Sequence, residues 1–521
     1  MTVLTYLGHA CFFFETERAA CLVDPWLSPT GAFLGTWRQM PPNDHCLQWV
    51  LKKMEQKPVL VYVTHEHGDH YDEETLEKLL PYASEFCIPD YENTFFKNHI
   101  QKKLGVQPRL LAEGDSQRFH DIQFRIFIDE SGINRDSAIF FKSKDLSFFD
   151  GNDCKIFDRA SYLVETCGSI DILSGQFSGA SLHPICYEMK PEEYKRVSLQ
   201  KRMGKFTAMR NYICDLKAKY FLPSAGPPLF PYPENCHLNF EAGSIFPKWW
   251  EFEAYLKNKQ IDAQIISLDV GGSVTAKQGE LKFAGIARKI EDEELKKFVD
   301  YYRMVDSNLP VCSAPSIEEV LVYFEREMNG KIAVLKNNPE VRLACPVYCD
   351  IKTGEHSSVV YLIDPDKLVL EKVSRDAISP PYYLHETDVA AIGKLMRSGK
   401  GWGTYSLAPL YRNRRVPDIF DSAISIFFKA NDNDDLDFGL KKLNQFRNND
   451  EYIKITHNQG RLSLTCKRFC PHQGADLKYA RFDGKYLLCP RHQWRFDCEN
   501  GGITDNSHDS IDATITKIVA A

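Results

Sequence analysis

The apolar positions of this chain change period several times, and each change marks an element. Leu4 to Phe14 reads as two short strands around a turn at Gly8-His9. Ala20 to Val23 makes a third strand, closing on Asp24-Pro25-Trp26-Leu27. Val59-Leu60-Val61-Tyr62-Val63-Thr64 is apolar without interruption and rich in β-branched residues, as expected of a strand buried on both faces. It ends at His65-Glu66-His67-Gly68-Asp69-His70. A helix is predicted next, with Asp72 near its N-cap and Glu73, Glu74 and Glu77 near its positive end. Leu146 to Phe149 is a further strand running into the acidic loop Asp150-Gly151-Asn152-Asp153.

Between about 276 and 430 the pattern alternates helix and strand. Glu291 to Met304 places Leu295, Phe298 and Val299 on one helical face. Ser316 to Met328 predicts a helix with Ser316 as N-cap. Lys331–Leu335, Val341–Val347, Ser358–Leu362 and Lys367–Ser374 read as strands, and Glu386–Arg397 as a helix. Gly399-Lys400-Gly401-Trp402-Gly403 lacks the strand-to-helix setting of a phosphate loop and reads as a turn. The acidic run Asn431 to Asp435 reads as a linker. Beyond it, short alternating segments at Tyr452–His457, Arg461–Thr465, Tyr486–Cys489 and Ile511–Val519 predict a small all-β domain. The expected division is 1–275, 276–430 and 431–521, with the middle part an α/β or α+β module for scaffolding, subunit contact or closure over a substrate.

Composition narrows the class. A length of 521 residues, 43% hydrophobic and 26% charged, fits a soluble multidomain protein. No run of about 18 apolar residues occurs, and the first residues resemble a strand, not a signal peptide. A net charge of −7 argues against a nucleic-acid partner. Sixteen cysteines without a secretion signal point to a reducing cytoplasm.

Two constellations carry chemistry. Cys470-Pro471-His472 and Cys489-Pro490-Arg491-His492 are separated by sixteen residues. Thiolates from Cys470 and Cys489 suit one iron, and imidazoles from His472 and His492 suit the other iron of a two-iron two-sulfur Rieske cluster. A zinc ribbon is the alternative, and its Cys and His rarely stand one residue apart. Gly474 and a turn at Gly484 are consistent with a hairpin that brings the two loops together. The second constellation is His65-x-His67-x-Asp69-His70. Three imidazoles and a carboxylate within six residues have little structural use without a metal. His65 and His67 can serve one position, and Asp69 and His70 an adjacent one. Asp153 is the first choice for a bridging carboxylate and Asp150 the second. His237 is the best late histidine, with His183 its competitor.

These motifs carry resemblances. His492-Gln493-Trp494-Arg495-Phe496-Asp497 followed by Gly501-Gly502 resembles Rieske ferredoxins and the Rieske domains of ring-hydroxylating oxygenases. Ala475 and Arg491 stand where respiratory Rieske proteins carry a disulfide. His-x-His-x-Asp-His resembles the metallo-β-lactamase superfamily, which implies a four-layer αββα sandwich with the site at its edge. That superfamily normally adds a third histidine from a loop before the bridging aspartate. No His occurs from Asp121 through Leu182, and the matching loop, Asp129 to Asp136, offers carboxylates and an amide instead. His120 or His183 would take the missing place if the loop were matched wrongly.

Tyr6–Cys11, Asp24–Leu27, His65–His70, Asp153-Cys154, Phe177–Ala180 and Pro223–Gly226 are similar, in similar order, to segments of the CMP-N-acetylneuraminate hydroxylases. That family also joins a Rieske cluster to a β-lactamase-like domain, but places the Rieske domain first. The resemblance implies an oxygenase in which the cluster feeds one or two non-haem irons. Hydroxylation or N-oxygenation of a small polar substrate by O2 would follow. No flavin or NAD fingerprint occurs, so electrons are expected from a ferredoxin or an NAD(P)H-dependent reductase. Neither a nucleic acid nor a membrane is expected as a partner, and a homo-oligomer stays open. The alternatives are a zinc hydrolase with a redox-regulatory Rieske domain and an electron carrier on a vestigial scaffold.

Overall fold

The computed structural model describes residues 1–131, 134–309, 313–457, 461–505 and 507–517. The chain forms two compact units. The first comprises Met1–Glu130, Arg135–Ala180 and Lys195–Pro310, and the second comprises Ser131–Asn134, Ser181–Tyr194 and Val311–Ala521.

The first unit is built on two sheets. One has eight strands, running in space from Glu280–Ile286 through Leu268–Lys277, Thr2–Gly8, Cys11–Glu15, Ala20–Val23, Val59–Tyr62 and Glu85–Pro89 to Arg109–Leu111. The other has seven strands, with Ser147–Asp150 and Asn134–Lys142 near its centre. Alternation along each strand explains the layers. Phe12, Phe14, Leu60 and Tyr62 face inward and meet Phe124, Ile139, Phe141 and Phe148 of the second sheet. Phe13, Val59, Val61 and Val63 face outward, under the helices Cys46–Gln56, Glu73–Leu79 and Phe95–Leu104. Phe140 and Phe149 do the same beneath Ala160–Cys167, Pro191–Leu216 and Trp249–Asn258. The result is an αββα sandwich, in which a strand covered on both sides must be apolar throughout.

The expected boundary at 275 cuts through the strand Leu268–Lys277, which pairs with Thr2–Gly8 on one side and Glu280–Ile286 on the other. The helix Asp292–Ser307 also belongs here. Leu295, Val299 and Tyr302 pack with Leu229, and Asp306 pairs with the buried Arg38 at 2.5 Å. No change of composition marks this hairpin, so the sequence offered no signal.

The second unit holds a five-stranded sheet in the order Leu370–Val373, Ser358–Ile363, Val347–Lys352, Tyr382–Asp388, Arg412–Val416. Its one parallel pair joins Val347–Lys352 to Tyr382–Asp388. The expected strand at 331–335 lies inside the helix Ile317–Lys336, because Val320, Phe324, Met328, Lys331, Ile332 and Leu335 are buried at helical spacing. Packing overrides the β preference of that run. Of the expected strand 341–347, only Val347 is in a strand. Glu386 sits in a strand, and the helix starts at Val389 behind Asp388, whose carboxylate accepts from Ala391 N at 2.8 Å.

The acidic run is not a linker. Asp432 caps the helix Asn433–Arg447, and the buried Asp435 accepts from Asn431 N at 2.8 Å. Lys331 Nζ donates to the carbonyls of Phe427 and Ala430 at 2.6 and 2.9 Å, tying this corner to the helix Ile317–Lys336. Beyond it lie a three-stranded sheet, with Tyr452–His457, Leu462–Lys467 and Thr514–Lys517, and a four-stranded one that includes Tyr486–Leu488 and Arg495–Asp497. Of the strand expected over 511–519, residues 518 and 519 lie outside the described residues.

His385 is buried between Asn413, Tyr405, Tyr411 and Phe428, with Nδ1 2.8 Å from Asn413 Oδ1. Burial pushes it down to about 4 from an ordinary 6.5. The unfolded chain therefore binds this proton first as pH falls. The stability tied to neutral His385 is complete above pH 6.5 and is lost as pH falls toward 4. The loss reaches about 3 kcal/mol at most. Urea melts of the second unit's transition at about pH 8 and about pH 5 should differ by about 2 kcal/mol of that loss, and His385→Gln should flatten the difference.

Candidate functional site

The loop His65–His70 leaves the buried strand Val59–Tyr62 at the end of the first sheet. Asp24, fully buried behind Ala20–Val23, fixes it from beneath. Its Oδ1 accepts from Thr64 N at 2.8 Å, and its Oδ2 accepts from Thr64 Oγ1 at 2.8 Å and lies 2.7 Å from His70 Nδ1. That contact directs His70 Nε2 toward two carboxylates, 3.9 Å from Asp69 Oδ2 and 3.7 Å from Asp153 Oδ1. His9 Nε2 closes on Asp69 Oδ2 at 3.0 Å. On the other side, His65 Nε2 lies 2.9 Å from His67 Nδ1 and 3.5 Å from Asp136 Oδ1.

Among the described residues, three ligand-bearing groups result: His9, Asp69 and His70; His65, His70 and Asp153; His65, His67 and Asp136. They share His65 and His70, so they describe adjoining positions in one cluster. His70 Nε2, Asp69 Oδ1 and Asp153 Oδ1 are buried and have no hydrogen-bond partner. Buried polar atoms left in that state are costly, and a cation among them would satisfy all three. The donor chemistry also fits a metal. Burial holds His65 well below its usual value, as do His70 and His67 beside it, so the ring is neutral and one of its two nitrogens is free of a proton. Burial opposes a charge on His70 too, but Asp24 and Asp69 outweigh it and raise His70. Burial also lifts Asp136 to about 6. A cation in the cluster takes over the role of the protons that these groups would otherwise share.

The structure brings together His65, His67, Asp69, His70 and Asp153, the residues from which metal ligation is expected. Asp150 is held elsewhere, accepting from Ser174 Oγ at 2.8 Å. His237 is exposed in the short helix Cys236–Asn239 and joins none of the three groups, so it leaves the expected set. The Pro-rich stretch before it turns back on Asn239 instead, whose side chain bonds both the N–H and the carbonyl of Phe230. His183 contacts Arg415 at 2.9 Å and His120 is exposed, and neither joins a group. Asp136 comes from the segment expected to supply carboxylates, but it stands in the strand Asn134–Lys142 and not in a loop. Gly132-Ile133 of that segment lie outside the described residues. His9 and Asp24 were missed as site residues, although both end strands next to a turn.

The cluster loops in the second unit are near copies of one another. Cys470 N donates to Ala475 O at 2.9 Å and Gly474 N to Cys470 O at 2.8 Å, while Cys489 N donates to Trp494 O at 2.9 Å and Gln493 N to Cys489 O at 3.0 Å. The fifth residue of each loop is left-handed, Gly474 at φ +63° and Gln493 at φ +57°. Both thiols are buried. A hydrogen bond from Cys470 holds Cys489 below its ordinary value, with the backbone N–H groups of His492 and Arg491 adding to it. The rings of His472 and His492 stand 4.8 Å apart and are half-buried. Two thiols inside and two imidazoles outside match the donor order of a Rieske cluster. Trp494 stacks on His472 at 4.1 Å, and Phe420 meets both rings edge-on. Arg491 Nη1 donates to Gln473 O across the loops at 3.3 Å.

A Cβ on Gly474 would lie 2.4 Å from the Phe446 ring, at a backbone conformation that L residues avoid. Gly474→Ala should cost about 1–3 kcal/mol. The check is thermal loss of the cluster's visible absorption, which should occur at lower temperature than in the parent.

Residues 3–137 match the model of the β-lactamase superfamily domain, and residues 428–512 match that of the Rieske [2Fe-2S] domain. The chain joins a β-lactamase-superfamily domain to a C-terminal Rieske domain. A Rieske 2Fe-2S iron–sulfur protein of Mycolicibacterium smegmatis is 25% identical over 97% of this chain and 98% of its own. Cytidine monophosphate-N-acetylneuraminic acid hydroxylase of Mus musculus is 25% identical over 43% of this chain and 38% of its own. Among solved structures, CmlA, a diiron β-hydroxylase from Streptomyces venezuelae, aligns at a TM-score of 0.34 and 14% identity, over 52% of this chain and 53% of that one. Among the described residues, no helix is long and apolar enough to cross a membrane.

Proposed function

We propose that this protein is an iron-dependent monooxygenase that hydroxylates or N-oxygenates a small polar substrate. The observation that carries the reading is the pairing in one chain of a Cys2His2 Rieske set with a buried His/carboxylate set. In that second set, among the described residues, the position of His65 and His67 has Asp136 where a zinc cage would have a third histidine. Mixed His/carboxylate sets with open positions are the balance that non-haem iron oxygenases use. The cytidine monophosphate-N-acetylneuraminic acid hydroxylases among its relatives support the same class.

When loaded, the cluster supplies one-electron transfer and the iron supplies O2 activation. His65, His67 and Asp136 would hold one metal position, and His70, Asp69 and Asp153 the adjoining one, with His9 against Asp69. Asp24 orients His70 and keeps its Nδ1 occupied, so that Nε2 is the atom presented to metal. Lys205 is near enough to Asp153 and Asp136 to feel both charges, and burial lowers it to about 7. It can hold or release a proton at Nζ near these metal positions. A ferredoxin or an NAD(P)H-dependent reductase would reduce the half-buried His472 and His492 side of the Rieske domain.

The test is anaerobic reduction of the holoprotein, followed by labelled O2 and candidate amines and small polar acceptors, with products read by mass spectrometry. Incorporation of one labelled oxygen per turnover is expected, with iron present beyond the cluster's own pair. Cluster iron plus zinc, with hydrolysis that ignores the electron donor, would replace this reading with the hydrolase.

A further inference from the structure

The second unit contains a cleft that neither metal centre uses. Its walls include Tyr187, Tyr383, Tyr405, Tyr411, Phe420 and Phe428, with His385 and Arg415 among them. The space open to water centres is about 60 Å³. At roughly 10–15 Å³ per water this is room for about four to six waters, or one small ring with a short substituent.

Arg415 is the cleft's main polar feature. Its side chain is 9% exposed, and its Nε is buried without a hydrogen-bond partner. Nη2 reaches Asp418 Oδ1 at 2.6 Å and His183 Nε2 at 2.9 Å, and the guanidinium lies 4.8 Å over the Tyr187 ring. Asp418 is 40% exposed, so this ion pair is solvated and weak. Arg415 lines this ligand-sized space, and a buried guanidinium with an unsatisfied Nε calls for a planar acceptor, which a carboxylate matches in two-point fashion. The other ionisable lining groups do not cancel that demand. Asp421 is committed to capping the next helix, accepting from Ile424 N at 2.6 Å, Lys429 adds a cation, and His385 is held neutral by burial. Six aromatic rings around one guanidinium favour a ring over an alkyl chain.

The cleft also touches the cluster. Phe420 lines it and meets the cluster ligand His472 edge-on at 5.4 Å, and Trp494, which stacks on His472, at 5.8 Å. A ligand in the cleft would therefore press on a ring that fixes the orientation of a Rieske imidazole.

We propose that this cleft binds a small aromatic monocarboxylate through Arg415, and that its occupancy is felt at the Rieske cluster through Phe420.

Benzoate is the probe, titrated into the full-length holoprotein by calorimetry and followed by the paramagnetic spectrum of the reduced cluster. One saturable site is expected, with a shift of the cluster's signal at saturation. Benzamide, equal in shape but uncharged, should bind at least about tenfold more weakly, because the charge-assisted pairing is lost. Arg415→Leu should weaken benzoate to the same degree while keeping the cluster signal, and Phe420→Leu should keep binding but lose the spectral shift. Should Arg415→Leu fail to assemble the cluster, the benzoate–benzamide ratio decides alone. Equal binding of the two probes, no saturable binding, or binding lost in His67→Ala and kept in Arg415→Leu would overturn the proposal. The last result would place the ligand at the metal centre of the first unit.

Discussion

Substituting His70 with alanine should remove all iron beyond the cluster's own pair and leave the reduced Rieske signal at full strength. His70 belongs to two of the three ligand groups, and its Nε2 is the buried orphan atom that faces both Asp69 and Asp153. Losing it therefore damages both positions, whereas losing His67 touches one group alone. The substitution also strips Asp24 of a partner at 2.7 Å in a fully buried setting. Breaking such a pair typically costs about 3–5 kcal/mol, so the first unit should melt earlier as well. Asp24→Asn separates the two effects. It keeps the shape and removes the charge that orients the ring, and should weaken metal binding about 10–100-fold. Metal counting per chain beside the cluster's paramagnetic signal reads both variants. An unchanged iron count in His70→Ala would mean that the metal lies elsewhere.

Substituting Cys489 with serine should abolish reductant-driven turnover and the visible absorption of the cluster, with metal in the first unit retained. Cys489 is a sulfur whose charge its surroundings favour, through the hydrogen bond from Cys470 and the N–H groups of His492 and Arg491. A serine oxygen at that place is a harder and less acidic donor, poorly suited to a cluster iron. A point change is the sharper experiment than removal of residues 431–521. That cut would delete the helix Asn433–Arg447, and with it Asp435, which closes the corner around Asn431. Full turnover with the physiological donor in Cys489→Ser would sever the electron path from the chemistry.

Both predictions rest on residues that were visible in the chain itself. The Rieske loops and His65–His70 were legible because metal ligation demands fixed residue types at close spacing. The αββα layers were legible through the two-sided apolar strand at 59–64. What stayed hidden is what sequence distance conceals. Asp136 sits 71 positions from His65 and meets it only because a hairpin of the second sheet ends at the same edge. His9 and Asp24 looked like turn residues, and their roles appear only when strands from across the sheet bring Asp69 and His70 beside them. His237 failed for the opposite reason, since a lone late histidine after prolines carries no spacing constraint. In the second unit, the helical burial of Lys331, Ile332 and Leu335 was masked by residues that also suit strands. The acidic run at 431–435 has a linker's composition but serves as a cap.

The contacts of Phe420 with His472, of Phe446 with Gly474 and of Arg447 with Asp509 set the cluster loops into the module that precedes them. A Rieske head on a flexible tether searches a volume and can visit donor and acceptor in turn. Here the helix Asn433–Arg447 replaces the tether, so the cluster has no search of its own within its unit. For the external donor proposed above, its arrival at the cluster, and not a swing of the cluster loops within this unit, would govern how often the cluster is refilled. Viscosity and donor concentration, more than any hinge substitution near 431, should set that frequency.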